Sequence, residues 1–216
     1  MDRRISFFVL GFVLMLAAGA MLVRPTGVLA DTTFPDCPTL SDLQAAVTAG
    51  GTITFGTANC TLTVDTSILV GDNTTVTING NGLTLNGTDD VTVLKFSPTG
   101  TNLTLVDTTI KGGNGGIVCE LTSLGCFTAT TNTSQVTLTN SSVNSGVGFP
   151  YNLSLTDSTV SGPGIVAEGP VTLTRSTVKS GGLMTMGLGD DPIMLTGSTV
   201  KGGAIAVSNQ GAGSIT

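Results

Sequence analysis

Apolar and polar residues alternate in five copies of one short pattern in the second half of the chain. Each copy has two apolar residues separated by one residue, and a Ser/Thr pair and a Val or Ile follow. The copies are LTLVDTTIK at 103–111, VTLTNSSVN at 136–144, LSLTDSTVS at 153–161, VTLTRSTVK at 171–179 and IMLTGSTVK at 193–201. This alternation predicts β-strands, because a helix would place its apolar residues three and four positions apart.

The copies recur with a short period. Their second apolar residue is a leucine, and the intervals between these leucines are 33, 17, 18 and 22 residues: Leu105, Leu138, Leu155, Leu173 and Leu195. A period near 20 with glycine-rich segments between copies is typical of a solenoid in which each repeat adds one coil. We therefore predict an all-β parallel solenoid, with about three short strands in each coil and coils stacked about 4.8 Å apart. The 33-residue interval is interpreted as one coil with a lateral loop, or as two short coils.

Stacking the copies aligns their side chains in columns. One column should form an inward hydroxyl ladder beside a turn, each hydroxyl bonding a neighbouring coil or a backbone carbonyl: Thr108, Ser141, Ser158, Ser176 and Ser198. A later column should point outward: Lys111, Asn144, Ser161, Lys179 and Lys201. Isolated exposed lysines on strands commonly prevent aggregation, so we interpret this column as a solubility feature.

The first 30 residues differ from the rest of the chain. Arg3 and Arg4 precede an apolar run over residues 5–23, and small residues precede Asp31. This arrangement predicts a signal peptide at 1–30 and a secreted or cell-surface protein. The alternative is an uncleaved membrane anchor, since about 20 apolar residues span a bilayer.

Residues 31–51 are predicted to form an N-terminal cap. Ser41 and Gln44 have the spacing of a capping box, and a short amphipathic helix should follow and end at Gly50 and Gly51. A solenoid exposes unpaired strand edges at its ends, and this helix is placed to cover the first of them. The coils are predicted over 52–216.

Four cysteines form two near pairs in the sequence. Three connectivities are formally open, and export together with local solenoid contacts favours Cys37–Cys60 and Cys119–Cys126. A zinc site is disfavoured because the chain has neither a CxxC motif nor a histidine.

Charge limits the partners of the chain. Charged residues make up 10% of it and the net charge is −6; removal of residues 1–30, which carry three arginines and one aspartate, would change this to −6 − 2 = −8. So few cations cannot neutralise a row of phosphates, which argues against nucleic acid and anionic membrane surfaces as partners. Membrane contact is expected only through the N-terminal segment if it is uncleaved. No cofactor is predicted.

The copies VTLTNSSV, LSLTDSTV and VTLTRSTV, together with GGTITF and GGAI, resemble the right-handed parallel β-helix repeat proteins of bacterial surfaces. They are similar in particular to the polymorphic outer-membrane-protein type, over roughly residues 36–216. The resemblance implies export, a pectate-lyase-like coil and, in many members, a C-terminal anchor or barrel. The repetitive, low-charge and histidine-free sequence of a secreted solenoid favours a non-catalytic adhesion or structural module at a cell surface or outside the cell.

A polysaccharide lyase or hydrolase is the alternative function, because the same fold class includes such enzymes. The candidate catalytic residues are Asp190, Asp191 and Arg175, and Gly189-Asp190-Asp191 resembles the paired aspartates of polygalacturonases. The candidate calcium ligands are Asp89, Asp90, Asp190 and Asp191. The histidine of the polygalacturonase site has no counterpart here, so solvated turns are the favoured interpretation of both aspartate pairs.

The end of the sequence should begin a sixth copy. Residues 214–216 lie about 20 residues after the fifth copy, and no polar cap or further helix follows them. The sequence therefore suggests a fragment of a longer chain or a last coil covered from outside. We therefore expect that the last coil can stack end to end on another copy of the chain.

Overall fold

Strand alternation extends over most of the chain in the computed structural model, which describes residues 30–120, 133–186, 192–207 and 215–216. The predicted signal segment, apart from Ala30, lies outside these residues. Within them there are one helix and twenty strands: β1 (Thr32–Phe34), α1 (Leu40–Ala49), β2 (Gly51–Phe55), β3 (Thr61–Val64), β4 (Ile68–Val70), β5 (Thr75–Gly87), β6 (Thr92–Phe96), β7 (Asn102–Gly112), β8 (Gly115–Cys119), β9 (Gln135–Thr139), β10 (Ser142–Val143), β11 (Val147–Gly148), β12 (Asn152–Thr156), β13 (Thr159–Val160), β14 (Gly164–Ala167), β15 (Val171–Thr174), β16 (Thr177–Lys179), β17 (Gly182–Thr185), β18 (Ile193–Thr196), β19 (Thr199–Lys201) and β20 (Ile205–Val207).

The strands pair in parallel, each with the corresponding strand of the next repeat. One sheet has 13 strands and the other has 7, ordered β20-β17-β14-β11-β8-β6-β4. The five repeat leucines stand opposite one another in register, from Leu105 on β7 to Leu195 on β18. The predicted all-β architecture with parallel sheets is confirmed.

The long interval between Leu105 and Leu138 occupies one level of the stack. Strand β7 pairs directly with β9 and also with β10, so no further strand lies between these repeats in the 13-stranded sheet. The favoured interpretation as one coil with a loop agrees with this register. Residues 121–132, where this loop is predicted, lie outside the described residues.

The core lies between the sheets and is built from the inward residues of the alternation. Leu105, Leu138, Leu155 and Leu173 are fully buried, whereas Leu195 is half-buried. Each repeat then bends at a single residue with positive φ: Asp107 at 49°, Asn140 at 48°, Asp157 at 52°, Arg175 at 48° and Gly197 at 58°. The left-handed backbone conformation of this residue bends the chain between the first and the second strand of the repeat. The Ser or Thr that follows it still points inward.

The N-cap of the helix lies two residues before the start of the predicted capping box. Thr39 is the N-cap: its hydroxyl accepts a hydrogen bond from the Asp42 N–H at 3.2 Å, and the Asp42 carboxylate accepts one from the Thr39 N–H at 3.1 Å. The predicted Ser41–Gln44 box is therefore wrong, because Thr39 has the same spacing to an acidic residue and follows Pro38, which cannot donate a backbone hydrogen bond. Ser41 lies inside the helix.

The side chain of Gln44 covers a strand edge instead. Its amide accepts a hydrogen bond from the Leu69 N–H at 2.8 Å and donates one to the Leu69 carbonyl at 3.1 Å. Leu69 lies on β4, the first strand of the seven-stranded sheet, so the helix satisfies edge groups that would otherwise be unpaired. Strand β1, which the sequence analysis did not predict, pairs with β2 and extends the other sheet.

The predicted disulfide Cys37–Cys60 is confirmed and joins the segment before α1 to the residue before β3. Cys119 is also disulfide-bonded. Its predicted partner, Cys126, lies outside the described residues. At the other end, Ile215 forms a parallel bridge with Ile193 on β18, where the sequence predicts the start of a sixth copy.

Candidate functional site

The candidate catalytic and calcium-binding residues do not form one site in the described residues. Asp89 and Asp90 are exposed in the turn between β5 and β6, and Arg175 lies at the bend between β15 and β16. Asp190 and Asp191 lie outside the described residues. Among the residues that the structure describes, no three His, Cys, Asp or Glu side chains are close enough to hold a metal ion.

Arg175 is paired with a carboxylate of the preceding repeat. Its Nε and Nη2 atoms donate to the Asp157 carboxylate at 2.7 and 2.5 Å. The hydrogen bond from Arg175 lowers the pKa of Asp157 and raises the pKa of Arg175 itself. The ion pair thus joins the bends of two adjacent repeats on the surface.

The predicted hydroxyl ladder connects the repeats just beneath these bends. Thr108, Ser141, Ser158 and Ser176 are buried, whereas Ser198 is half-exposed. Each ladder hydroxyl donates to the carbonyl two residues earlier in its own repeat, at 2.7–3.1 Å. The last four hydroxyls also accept the backbone N–H of the preceding ladder residue, at 3.0–3.2 Å. The ladder thus satisfies buried backbone groups where the chain bends and the regular strand pairing is interrupted.

Removal of one ladder hydroxyl should destabilise the fold. In Ser158→Ala, the buried Ser141 N–H loses its hydrogen-bond partner, and the Thr156 carbonyl loses one of its two donors and keeps the Asn140 N–H. We expect the free energy of unfolding to fall by about 1–3 kcal/mol, as measured by chemical denaturation. The matched control, Ser154→Ala on the outward side of β12, should change it by less than about 0.5 kcal/mol. Equal losses in the two variants would contradict a structural role for the ladder.

The outward positions of the first strand in each repeat carry a second and larger set of hydroxyls, which the sequence analysis missed. We call these residues the hydroxyl face. They form two columns in register across seven strands, from β2 to β18. One column contains Thr52, Thr77, Thr104, Thr137, Ser154 and Thr172, and the other contains Thr54, Thr139, Thr156, Thr174 and Thr196. The sequence does contain a signal for this face, because the residues on either side of each repeat leucine are mostly threonines.

Three residues interrupt the hydroxyl face. Met194 takes the last position of the first column, and Asn79 and Val106 take two positions of the second. All fourteen positions are uncharged and none is aromatic. A cleft of about 150 Å³ crosses β9, β12 and β15 on this face, and a depression of about 430 Å³ is lined by Thr54, Asn79 and Val106. The face therefore offers an extended polar surface.

The second strand of each repeat presents a different surface, which we call the lysine face. Its first outward column consists of hydroxyl residues: Thr61, Thr84, Thr109, Ser142, Thr159, Thr177 and Thr199. The predicted lysine column runs beside it. Lys111, Lys179 and Lys201 are exposed, and Lys179 stands opposite Lys201 on the neighbouring strand. These charges distinguish the lysine face from the hydroxyl face.

Within the part of the chain that the structure describes, no helix has the length and apolar character needed to cross a bilayer. Comparison of the chain with protein-family models, with curated proteins and with solved structures found no match in any of the three.

Proposed function

We propose that the chain is an exported right-handed parallel β-helix that acts as a non-catalytic adhesion or structural module at a cell surface or outside the cell. The observation that carries this proposal is the hydroxyl face, with two columns of polar side chains aligned across seven parallel strands. An extended surface of this kind suits contact with another surface better than it suits one small ligand. The disulfide Cys37–Cys60 is compatible with an oxidising compartment.

Retention on insoluble material tests the proposal. The purified full chain would be mixed with microcrystalline cellulose, chitin, intact bacterial cells or ice crystals, and the bound fraction measured after separation. We expect retention on at least one of these surfaces, with bovine serum albumin as the unretained control. Failure to be retained on any of them would count against an adhesion module.

The enzyme alternative is tested by assays on polygalacturonate and alginate, with and without calcium. Turnover that disappears in Asp190→Asn or Asp191→Asn would replace our proposal with a polysaccharide lyase or hydrolase. Self-association through the last repeat stays a prediction. A monodisperse monomer in size-exclusion chromatography would contradict it.

A further inference from the structure

The centre of the hydroxyl face is a complete two-dimensional array. Strands β9, β12 and β15 each carry two outward hydroxyls in register: Thr137 and Thr139, Ser154 and Thr156, and Thr172 and Thr174. Adjacent strands are about 4.8 Å apart, and alternate residues of one strand are about 6.6 Å apart. The hydroxyl groups therefore repeat at fixed intervals in two directions.

The buried core beneath the array holds its backbone in place. The leucines between the paired outward residues, Leu138, Leu155 and Leu173, are fully buried and stacked in register. The hydroxyl ladder connects the same three repeats one bend further along the chain. Threonine also has few side-chain rotamers because it is branched at Cβ, so its hydroxyl and methyl positions repeat from strand to strand.

The hydroxyls of the array are available to a partner. Within the described part of the chain, no residue forms a hydrogen bond with the hydroxyls of Thr137, Ser154 or Thr172. All six residues of the array are half-buried, as expected for side chains that stand on a flat sheet beside close neighbours. Each one therefore presents a hydroxyl group next to aliphatic carbon.

A rigid repeating array matches a partner that repeats as well, since a single small molecule would contact only a few of its hydroxyls. An ionic mineral is disfavoured because the array has no charge to complement it. Crystalline polysaccharide is disfavoured because the array has no aromatic side chain on which a sugar ring could pack. Ice fits these features, because its surface is an uncharged repeating lattice of water molecules that donate and accept hydrogen bonds.

We propose that the hydroxyl face binds the surface of ice. This inference rests on the proposed adhesion function and names its partner. Threonine hydroxyls would bond to lattice waters, while the adjacent methyl groups would occupy the gaps between them and exclude mobile water. The distance between adjacent strands would set the spacing of the bound waters in one direction, and the distance between alternate residues of a strand would set it in the other.

The lysine face provides a matched control. Thr159 and Thr177 stand opposite each other on the adjacent strands β13 and β16. They are half-buried, as are Thr137 and Thr172, which lie on either side of Ser154 on β9 and β15. Only one hydroxyl column is present on that face, and a column with three lysines lies beside it. Lys179 is already accommodated on β16, and the substituted positions of both faces point outward, so substitution to lysine should be compatible with folding.

The experiment compares the full chain with two double variants, Thr137→Lys/Thr172→Lys and Thr159→Lys/Thr177→Lys. Circular dichroism would first verify that all three are folded. Ice-recrystallisation inhibition and retention in growing ice would then be measured. We expect the wild type and the Thr159/Thr177 variant to be active, and the Thr137/Thr172 variant to need about tenfold more protein, the factor that corresponds to about 1.4 kcal/mol of lost binding free energy.

The outcomes separate this inference from the function on which it rests. A wild type that is inactive on ice, or equal loss in the two folded variants, would overturn ice binding by the hydroxyl face. Retention on cellulose, chitin or cells without any effect on ice would overturn the inference and leave the adhesion function standing. Retention on none of these surfaces, ice included, would reject both.

Discussion

Truncation of Leu155 to alanine is expected to lower the free energy of unfolding by about 2–5 kcal/mol. Leu155 is fully buried and stands in register between Leu138 and Leu173 of the neighbouring repeats. The removed carbons leave a cavity that the stack cannot easily close, because parallel strands on both sides hold the backbone at a fixed spacing. Equilibrium denaturation in urea would measure the loss.

The control for this variant is Met194→Ala. Met194 is also a large apolar residue, but 45% of its surface is exposed on the outward side of β18. Its truncation removes much less buried area than that of Leu155 and leaves no internal cavity, so it should lower the free energy of unfolding by only about 1 kcal/mol. If Leu155→Ala were as mild as this control, the leucine column would not be the core of the fold.

Loss of the Cys37–Cys60 disulfide is expected to be the second large effect. The two cysteines are 23 residues apart in sequence, and a crosslink over a loop of this length stabilises a fold by about 3 kcal/mol through the entropy of the unfolded chain. The double variant Cys37→Ser/Cys60→Ser should lose about this amount in equilibrium denaturation.

A reductant separates the contributions of the disulfides. Adding dithiothreitol to the double variant isolates the effect of the disulfide at Cys119, because Cys37 and Cys60 are no longer present to respond. If the oxidised double variant were as stable as the oxidised wild type, the crosslink would not stabilise the N-terminal cap.

Local pattern was sufficient to predict the strands of the five copies, their inward leucines and the column of ladder residues. Inward and outward positions alternate along any strand, so the residues around Leu138 or Leu173 reveal their orientation without knowledge of distant contacts. The disulfide Cys37–Cys60 could be predicted for a related reason, since contacts between stacked repeats join residues that are about one repeat apart in sequence.

Local pattern could not decide where the helix begins, because two pairs of residues have the spacing of a capping box. The segment before α1 has a Thr39–Asp42 and a Ser41–Gln44 pair, and both match a capping box. Gln44 forms its hydrogen bonds with Leu69, which lies 25 residues away on β4. That distant strand edge is not visible from the helix sequence.

Contacts between repeats, by contrast, depend on register. Arg175 and Asp157 pair because both occupy the bend position of adjacent repeats, and the hydroxyl face exists because Thr137, Ser154 and Thr172 stand opposite one another. Alternation shows that each threonine points outward, but the intervals of 33, 17, 18 and 22 residues leave open which strands become neighbours. The chain thus encodes its strands locally, whereas its surface array arises only when backbone hydrogen bonds bring successive repeats into register.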